Sequence, residues 1–321
     1  MAIQTPNSLI KFCSAETADK ILATHSLRWN APHLFNDTCE LDYHSQLRFS
    51  HSELLDALTK KALRLIFQSD TPVGEGQVLQ AIRRWRAEQR FSDEEEAAGV
   101  IKGLLAQVVE ARRESLAKQV KQWRNYALRV RICSLHARID SLNCWRYYAD
   151  NHQGVALRFS CAENSSLSDA TRVNYTDVRP EISTLEEQML DIIGSKKRVE
   201  LSTDSFRAKL LMKPKQFAAE QEWRCFRLMP NTTENLEKAK DEGWSSVKFI
   251  PSELTEIYFG AQTNEAFKQK LIQNAIKLNR KIRIFESNLH RSKFQLQFTR
   301  LEQYSGAVGF DQKKLERAIA I

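Results

Sequence analysis

Short apolar runs dominate both ends of the chain, and longer helical repeats lie between them. Near the start, Leu9–Phe12 and Leu27–Trp29 have the length of strands, and Ser14 can cap a helix through Ile21. After residue 126 the period changes to two, and the alternation from Leu128 to Ile132 predicts a strand. The same pattern predicts strands at 154–159, 172–175, 222–228, 246–250, 254–259, 281–285 and 293–299, with helices at 143–148, 182–201 and 265–278.

The segment from residue 51 to 126 has a different pattern. Apolar residues recur there at helical spacing in three runs, and a break at Asp70–Gly76 separates the first two. We therefore predict an α+β core formed by residues 1–50 and 127–321, interrupted by a helical insertion over 51–126.

Composition narrows the class of protein. The 321 residues are 42% hydrophobic and 27% charged, and no apolar run approaches the ~20 residues of a membrane-spanning helix. The first residues, MAIQTPNSLIKF, lack a secretory signal pattern, so we expect a cytoplasmic protein without a membrane partner. The six cysteines are dispersed, without metal-ligand spacing, which predicts buried, reduced thiols and no metal site.

Charge suggests an anionic partner. The net charge is +8, and the stretch from Lys268 to the end holds twelve Lys or Arg against four Asp or Glu. Such a basic region is typical of contact with nucleic acid or a nucleotide, and a solvated basic surface is the alternative. The Arg83–Arg86 cluster in the insertion allows the same two interpretations.

Candidate acid–base chemistry lies in Glu220–Phe226. On a strand Glu220 and Glu222 point the same way, so two carboxylates could share a task, one stabilising positive charge and the other activating an acceptor. A solvent-facing strand end, with the acids balanced by Lys213 and Arg224, is the alternative.

Candidate ligand contacts lie in three further segments. Trp145 and Tyr148 are three residues apart, so on a helix they could stack on a planar ring, or they could simply be core residues. His152 follows in a turn that ends at Gly154, and a structural role is the alternative there as well. Lys11 could meet a pyrophosphate, or be an ordinary surface lysine.

Asn36 and Asp37 lie in a segment with turn chemistry. They could cap backbone groups, or they could orient a ribose or a phosphate-bound water. Glycine-rich phosphate loops, a GxSxG nucleophile motif and an HExxH zinc motif are all absent from the sequence.

In order and spacing, these residues resemble the bacterial family called domain of unknown function 2971. The resemblance extends from residue 9 to about 275. The four blocks that carry it are Leu9–Ser14, Phe35–Glu40, Trp145–Gly154 and Glu220–Arg224. Cys13 and Thr38–Cys39 differ from the residues common in that family.

The layout is also similar, more distantly, to the ADP-ribosyltransferase fold. That resemblance implies a mixed sheet with a helical insertion, and NAD as substrate. It implies that Glu222 binds the nicotinamide ribose and Glu220 assists the acceptor, that Lys11 contacts the pyrophosphate, and that Tyr148 stacks on nicotinamide. Asn36, Asp37, Trp145 and His152 complete the cofactor-binding set expected from this family.

Two functions follow as expectations. The first is an NAD-dependent ADP-ribosyltransferase, acting as a toxin or antiphage defence effector on nucleic acid or protein. The second is a non-enzymatic nucleic-acid- or partner-binding module of a bacterial defence system. A metal-dependent hydrolase is a third possibility from the acids alone.

Overall fold

The structure, a computed structural model, describes residues 6–35, 47–68, 74–194, 202–232, 234–235, 237 and 242–304. The chain divides into two units. A sheet unit comprises residues 1–40, 129–178 and 211–321, and a helical unit comprises 41–128 and 179–210.

Strands and helices alternate along the described chain. In order they are β1 (Ser8–Cys13), α1 (Ala15–Thr24), β2 (Ser26–Asn30), α2 (His51–Phe67), α3 (Gln77–Ala87), α4 (Glu94–Arg129), β3 (Val130–His136), α5 (Leu142–Tyr147), β4 (Val155–Ser160), β5 (Thr171–Arg172), β6 (Asn174–Thr176), α6 (Leu185–Ile193), α7 (Thr203–Leu210), β7 (Met212–Pro214), β8 (Glu222–Leu228), β9 (Trp244–Lys248), β10 (Leu254–Phe259), α8 (Glu265–Leu278), β11 (Arg283–Leu289) and β12 (Leu296–Arg300).

The sheet unit is built on a mixed sheet. Its strand order is β12-β11-β10-β4-β1-β3-β2-β9, with β8 paired to β3 and β5 paired to β8. The β10–β11 pair is parallel, whereas the other pairs of this sheet are antiparallel. Strands β6 and β7 form a separate parallel pair. The predicted α+β class is confirmed.

Strand β3 has a fork along one edge. On its β8 side it pairs continuously from Val130 to His136. On the other side it meets β1 only at the pair Ile10–His136 and β2 only at the pair Asn30–Ile132. Ser134 lies between these two pairings, where β1 and β2 diverge.

Each face of the sheet packs against helices. Leu9 of β1 belongs to a large apolar cluster with α1 and α8, whereas its neighbour Ile10 belongs to a second cluster with Trp145 of α5. Successive residues of a strand point to opposite faces. The apolar alternation of β1 therefore builds both layers.

The helical unit has its own apolar core. Helix α2 starts with a capping box formed by Ser50 and Glu53, and Leu54 and Leu58 on its inner face are fully buried. On α4, Ala97, Ile101, Leu105 and Val109 recur every four residues and join the same cluster. The three predicted helices of this region are confirmed.

The position of residues 179–210 differs from the prediction, which included them in the α+β core. They belong to the helical unit, because the apolar face of α6, including Ile193, packs into its core. Helix α6 is also shorter than predicted. It ends at Gly194, which has the left-handed conformation (φ 81°) that favours glycine.

Other differences concern boundaries. Leu128 and Arg129 extend α4 instead of starting a strand, and the predicted strand 172–175 is divided between β5 and β6. Neither β7 nor α7 was predicted from the sequence pattern. Most of the remaining predicted elements appear within a few residues of their expected positions.

Five of the cysteines lie in the described residues, at 13, 133, 144, 161 and 225, and all are buried and free. The prediction of buried, reduced thiols is confirmed for these five. None of the described helices is long and apolar enough to cross a bilayer.

Candidate active site

The candidate carboxylates come together around one lysine, but not by strand alternation. Glu220 ends a short 3-10 helix (Lys215–Glu220), Gln221 is left-handed (φ 46°), and Glu222 begins β8. The expectation that both acids project from one strand is therefore wrong in its geometry, because the turn at Gln221 separates them. They converge because both reach the side chain of Lys213 on β7.

The charged groups form a compact, buried cluster. Lys213 Nζ donates to Glu220 Oε2 and to Glu222 Oε2, each at 2.8 Å. Arg224 Nε donates to Glu222 Oε1 at 2.8 Å. Glu222 is 2% exposed and Arg224 is fully buried. The solvent-facing strand end is therefore excluded, although the predicted balancing of the acids by Lys213 and Arg224 is found.

Burial dominates the electrostatics of this cluster. It raises the pKa of Glu222, and attraction to Lys213 opposes that rise. Burial lowers the pKa of Arg224 to about 9. Burial alone would lower the pKa of Lys213, but Glu222, Tyr148 and Glu220 together raise it. Two carboxylates and two cations thus compensate each other away from water, an arrangement costly to desolvate and typical of functional sites.

Tyr148 connects the acids with solvent. Its hydroxyl donates to Glu220, at 3.1 Å from Oε1 and 3.2 Å from Oε2, while its side chain is 39% exposed. Burial of the hydroxyl raises the pKa of Tyr148, so it remains a donor at neutral pH. Glu220 therefore lies one side chain below the surface on the Tyr148 side.

Sequence reasoning missed His136, which lies beside the acids on β3. Its Nδ1 is 3.2 Å from the Glu220 carbonyl oxygen and 3.5 Å from Cys144 Sγ. A carbonyl oxygen only accepts, so Nδ1 carries the proton in this contact. Burial lowers the pKa of His136 to about 3, which keeps the ring neutral. A single histidine at a strand end gave no pattern that could have identified it.

Tyr175 is a second missed residue. It lies on β6, and its hydroxyl accepts a hydrogen bond from the Glu222 backbone N–H at 2.8 Å. This contact fixes the start of β8, and with it the position of the Glu222 side chain.

Trp145 and Tyr148 do not form a shared stacking surface. Trp145 is fully buried, its ring lies 5.2 Å from that of Phe12, and its indole N–H donates to the Ile139 carbonyl at 2.7 Å. Tyr148 instead lies beside His136, with ring centroids 5.1 Å apart. The two directions differ because α5 ends at Tyr147 and Tyr148 is its C-cap.

His152 also packs inside the loop. Its ring is parallel to Trp145 at 6.1 Å, and its carbonyl accepts from the Gln262 N–H at 2.9 Å. Asp150, Asn151 and His152 are all left-handed, with φ of 48°, 49° and 69°. Three such residues in succession are unusual for non-glycine positions, and they are held by this surrounding packing. The structure places His152 as a support for Trp145.

Lys11 lies at the fork in the sheet. Its Nζ donates to the Ser134 carbonyl oxygen at 2.9 Å, and its side chain is half-buried. Ser134 is directly opposite Arg224 in the β3–β8 ladder, so Lys11 contacts the strand that pairs with the start of β8. Asn36 and Asp37 lie outside the described residues.

The basic segments are partly occupied by contacts within the fold. In the helical unit, Arg83 donates to the Gly74 carbonyl at 2.6 Å and Arg86 to the Leu65 carbonyl at 3.4 Å. In the sheet unit, Lys268 bonds Glu286 and Lys270 bonds Asp19. Residues 305–321 of the basic tail lie outside the described part.

Other possible sites contain none of the candidate residues. A groove of about 600 Å³ in the helical unit is lined by charged side chains, which include Arg48, Glu53, Asp56 and Glu181. Among the described residues, no group of three or more His, Cys, Asp or Glu could hold a metal ion.

Part of the chain matches a known protein family. Residues 144–225 match the family described as "Protein of unknown function (DUF2971)". The matched segment contains two of the four blocks noted in the sequence, Trp145–Gly154 and Glu220–Arg224, and it supports the family resemblance. The match begins within α5, includes the left-handed loop at 150–152, and extends through Lys213 to the two acids. No curated protein and no solved structure matches the chain.

Proposed function

We propose that this chain uses NAD as a substrate and transfers its ADP-ribosyl group, with the acid cluster as the reaction centre. The observation that carries the proposal is the meeting of three distant segments. Lys11 on β1, Tyr148 after α5 and the pair Glu220–Glu222 all lie beside the β3–β8 ladder. Two buried carboxylates, of which Glu222 has a pKa raised by burial, lie next to a half-exposed aromatic ring, a combination that active sites favour.

The burial of the acids assigns their roles within this proposal. Glu220 is nearer to solvent, through Tyr148, and becomes the group that meets the reacting atoms. Glu222 is held by Lys213 and Arg224, so it acts as a fixed negative charge that stabilises positive charge on the ribose. The Tyr148 hydroxyl must leave Glu220 so that its ring can stack on nicotinamide.

The reaction balances without a metal or a redox partner. The bond between the ribose C1′ and the nicotinamide nitrogen breaks, and its electron pair leaves with neutral nicotinamide. A lone pair of the acceptor forms the new bond to C1′, and the acceptor's proton passes to the Glu220 carboxylate and then to water. Lys11 supplies one positive charge for the pyrophosphate.

This activity would make the protein a toxin or antiphage defence effector that modifies nucleic acid or protein. NAD is abundant in cells, so such an enzyme needs control. Tyr148 closing over Glu220 is consistent with a resting form that is opened by substrate.

The test is release of nicotinamide from NAD by the full chain. We expect Glu220→Gln to reduce release by about 100-fold or more, since loss of a general base commonly costs 10²–10⁴. Glu222→Gln should do the same, but it leaves Arg224 and Lys213 undercompensated and could unfold the protein. Tyr148→Phe is a less disruptive third variant, because it removes only the hydroxyl that donates to Glu220.

Thermal unfolding of each variant separates chemistry from folding. Turnover by folded Glu220→Gln at the rate of the unchanged chain refutes the assignment. Loss of turnover by the unchanged chain on treatment with a chelator also refutes the assignment, since the proposed step needs no metal.

The second candidate, a binding module without enzymatic activity, is favoured by one observation. The acids are sealed and fully charge-compensated, as in a structural cluster. This alternative predicts nucleic-acid affinity that falls steeply with salt and does not depend on Glu220 or Glu222.

A further inference from the structure

An exposed hairpin joins the last two strands of the sheet. Strands β11 and β12 pair up to Leu289–Leu296, and His290 N–H donates to the Gln295 carbonyl at 2.9 Å to close the turn. At its tip the Phe294 side chain is 100% exposed, and Leu289 is 64% exposed. A phenylalanine fully in water contributes nothing to the core, and its ring is free to contact a partner.

The hairpin is also strongly basic. From Ser287 to Leu301 the sequence contains Arg291, Lys293 and Arg300 and no Asp or Glu. Arg291 and Lys293 are exposed on either side of Ser292. In the part of the chain that the structure describes, neither makes an ion pair. Charge and an aromatic ring are thus presented together on one short turn.

We infer that the β11–β12 hairpin binds single-stranded nucleic acid, with Phe294 stacking on a base and Arg291 and Lys293 meeting the flanking phosphates. Stacking on an aromatic side chain combined with backbone charge is how single strands are bound without strict sequence preference. A duplex hides its base faces, so it leaves Phe294 without a partner. A bilayer favours a broader apolar face than Leu289 and Phe294 present.

The base of the hairpin packs into the apolar layer that contains Trp145 of α5. Leu296, the first residue of β12, packs in the apolar cluster that contains Phe12 and Trp145. Binding does not depend on the transfer chemistry. If that proposed function also holds, the hairpin identifies nucleic acid as the acceptor class.

The test is equilibrium binding of a fluorescent oligo(dT) of about 20 nucleotides to the full chain, without NAD, over a series of salt concentrations. We expect Phe294→Ala to weaken binding about tenfold and Phe294→Trp to preserve it. Arg291→Gln with Lys293→Gln should reduce the slope of log K against log salt by about 1.4, since each phosphate contact to a single strand contributes about 0.7.

The matched control is Arg280→Gln with Lys281→Gln. This pair removes the same charge but lies before β11, at the end of the strand away from the hairpin, and both residues are exposed. We expect at most a small change in slope. Equal losses from the control and the hairpin pair overturn the inference, as does binding unaffected by Phe294→Ala. Phe294-dependent binding to anionic vesicles without oligonucleotide binding also overturns it.

Because no NAD is present, these results are independent of the transferase test. Oligonucleotide binding without nicotinamide release supports the hairpin inference and refutes the transferase proposal. Nicotinamide release without oligonucleotide binding refutes the hairpin inference and supports the transferase proposal.

Discussion

At the scale of single residues, Lys213 organises the candidate site. One ammonium group is shared by two carboxylates, and each of those has a further donor, Tyr148 for Glu220 and Arg224 for Glu222. The two acids share Lys213 but differ in their second donor, so their surroundings differ. Such a difference is what separates their roles when two carboxylates act together.

His136 provides a test of the burial around this cluster. The ring is neutral in the folded chain because burial lowers its pKa to about 3 from 6.5. Between these values the unfolded chain binds a proton that the folded chain does not. The free energy of unfolding must therefore fall as the pH is lowered from 6.5 towards 3, by about 5 kcal/mol in total from this residue.

Chemical denaturation at several pH values measures this effect. In His136→Gln the fall between pH 6.5 and 4 should be clearly shallower than in the unchanged chain. His51→Gln, at an exposed position at the start of α2, is the matched control and should keep the original slope. Identical slopes for His136→Gln and the unchanged chain mean that His136 is not held neutral by the fold.

The residue scale also shows what the sequence could not predict. Glu220, Glu222, Lys11 and Tyr148 were recognised as candidates because their residue types suggest chemistry. Their arrangement was not predictable, because it depends on Gln221 breaking the strand and on Lys213 reaching back from β7. His136 and Tyr175 carry no local pattern, and only the pairing of distant strands brings them to the acids.

At the scale of secondary-structure elements, the loop from α5 to β4 is held in a tightly constrained conformation. Its left-handed residues turn the chain within a few positions, and Gly154 then passes against β1. A Cβ at Gly154 would lie 2.2 Å from the Cys13 carbonyl oxygen and 2.9 Å from the backbone of Ala149. These neighbours are backbone atoms, which cannot move aside as the end of a flexible side chain can.

A pair of glycine substitutions tests this packing. We expect Gly154→Ala to lower the free energy of unfolding by about 3 kcal/mol or more. Gly99→Ala in α4 is the control, because its Cβ meets nothing within 4 Å, and it should stabilise the protein by about 1 kcal/mol through helix propensity. Denaturation curves that show no loss for Gly154→Ala contradict the close approach of this loop to β1.

Elements with a strong local pattern were predictable from sequence. Strands β8 and β10 and helix α8 match their predicted residues, since apolar periodicity and a capping Asn264 mark them. Helix α6 was predicted too long because the stop signal at Gly194 was overlooked. Strand β7 is three residues long and pairs with β6, too short a run for a local sequence signal.

At the scale of the whole molecule, both proposed functions fall in the sheet unit. The sheet unit carries both the acid cluster and the basic hairpin, and the helical unit contains none of the described candidate residues. Two of the basic residues noted in the sequence, Arg291 and Lys293, lie in the sheet unit at the hairpin between β11 and β12. This arrangement predicts that nucleic acid and NAD both bind to the sheet unit.

The most direct measurement is nicotinamide release from NAD by the full chain and by Glu220→Gln, each with and without a single-stranded oligonucleotide. The account predicts release by the unchanged chain that increases when the oligonucleotide is added, and release at least about 100-fold lower in the folded variant under both conditions. Equal release by the two proteins, or none from the folded unchanged chain in either condition, contradicts it.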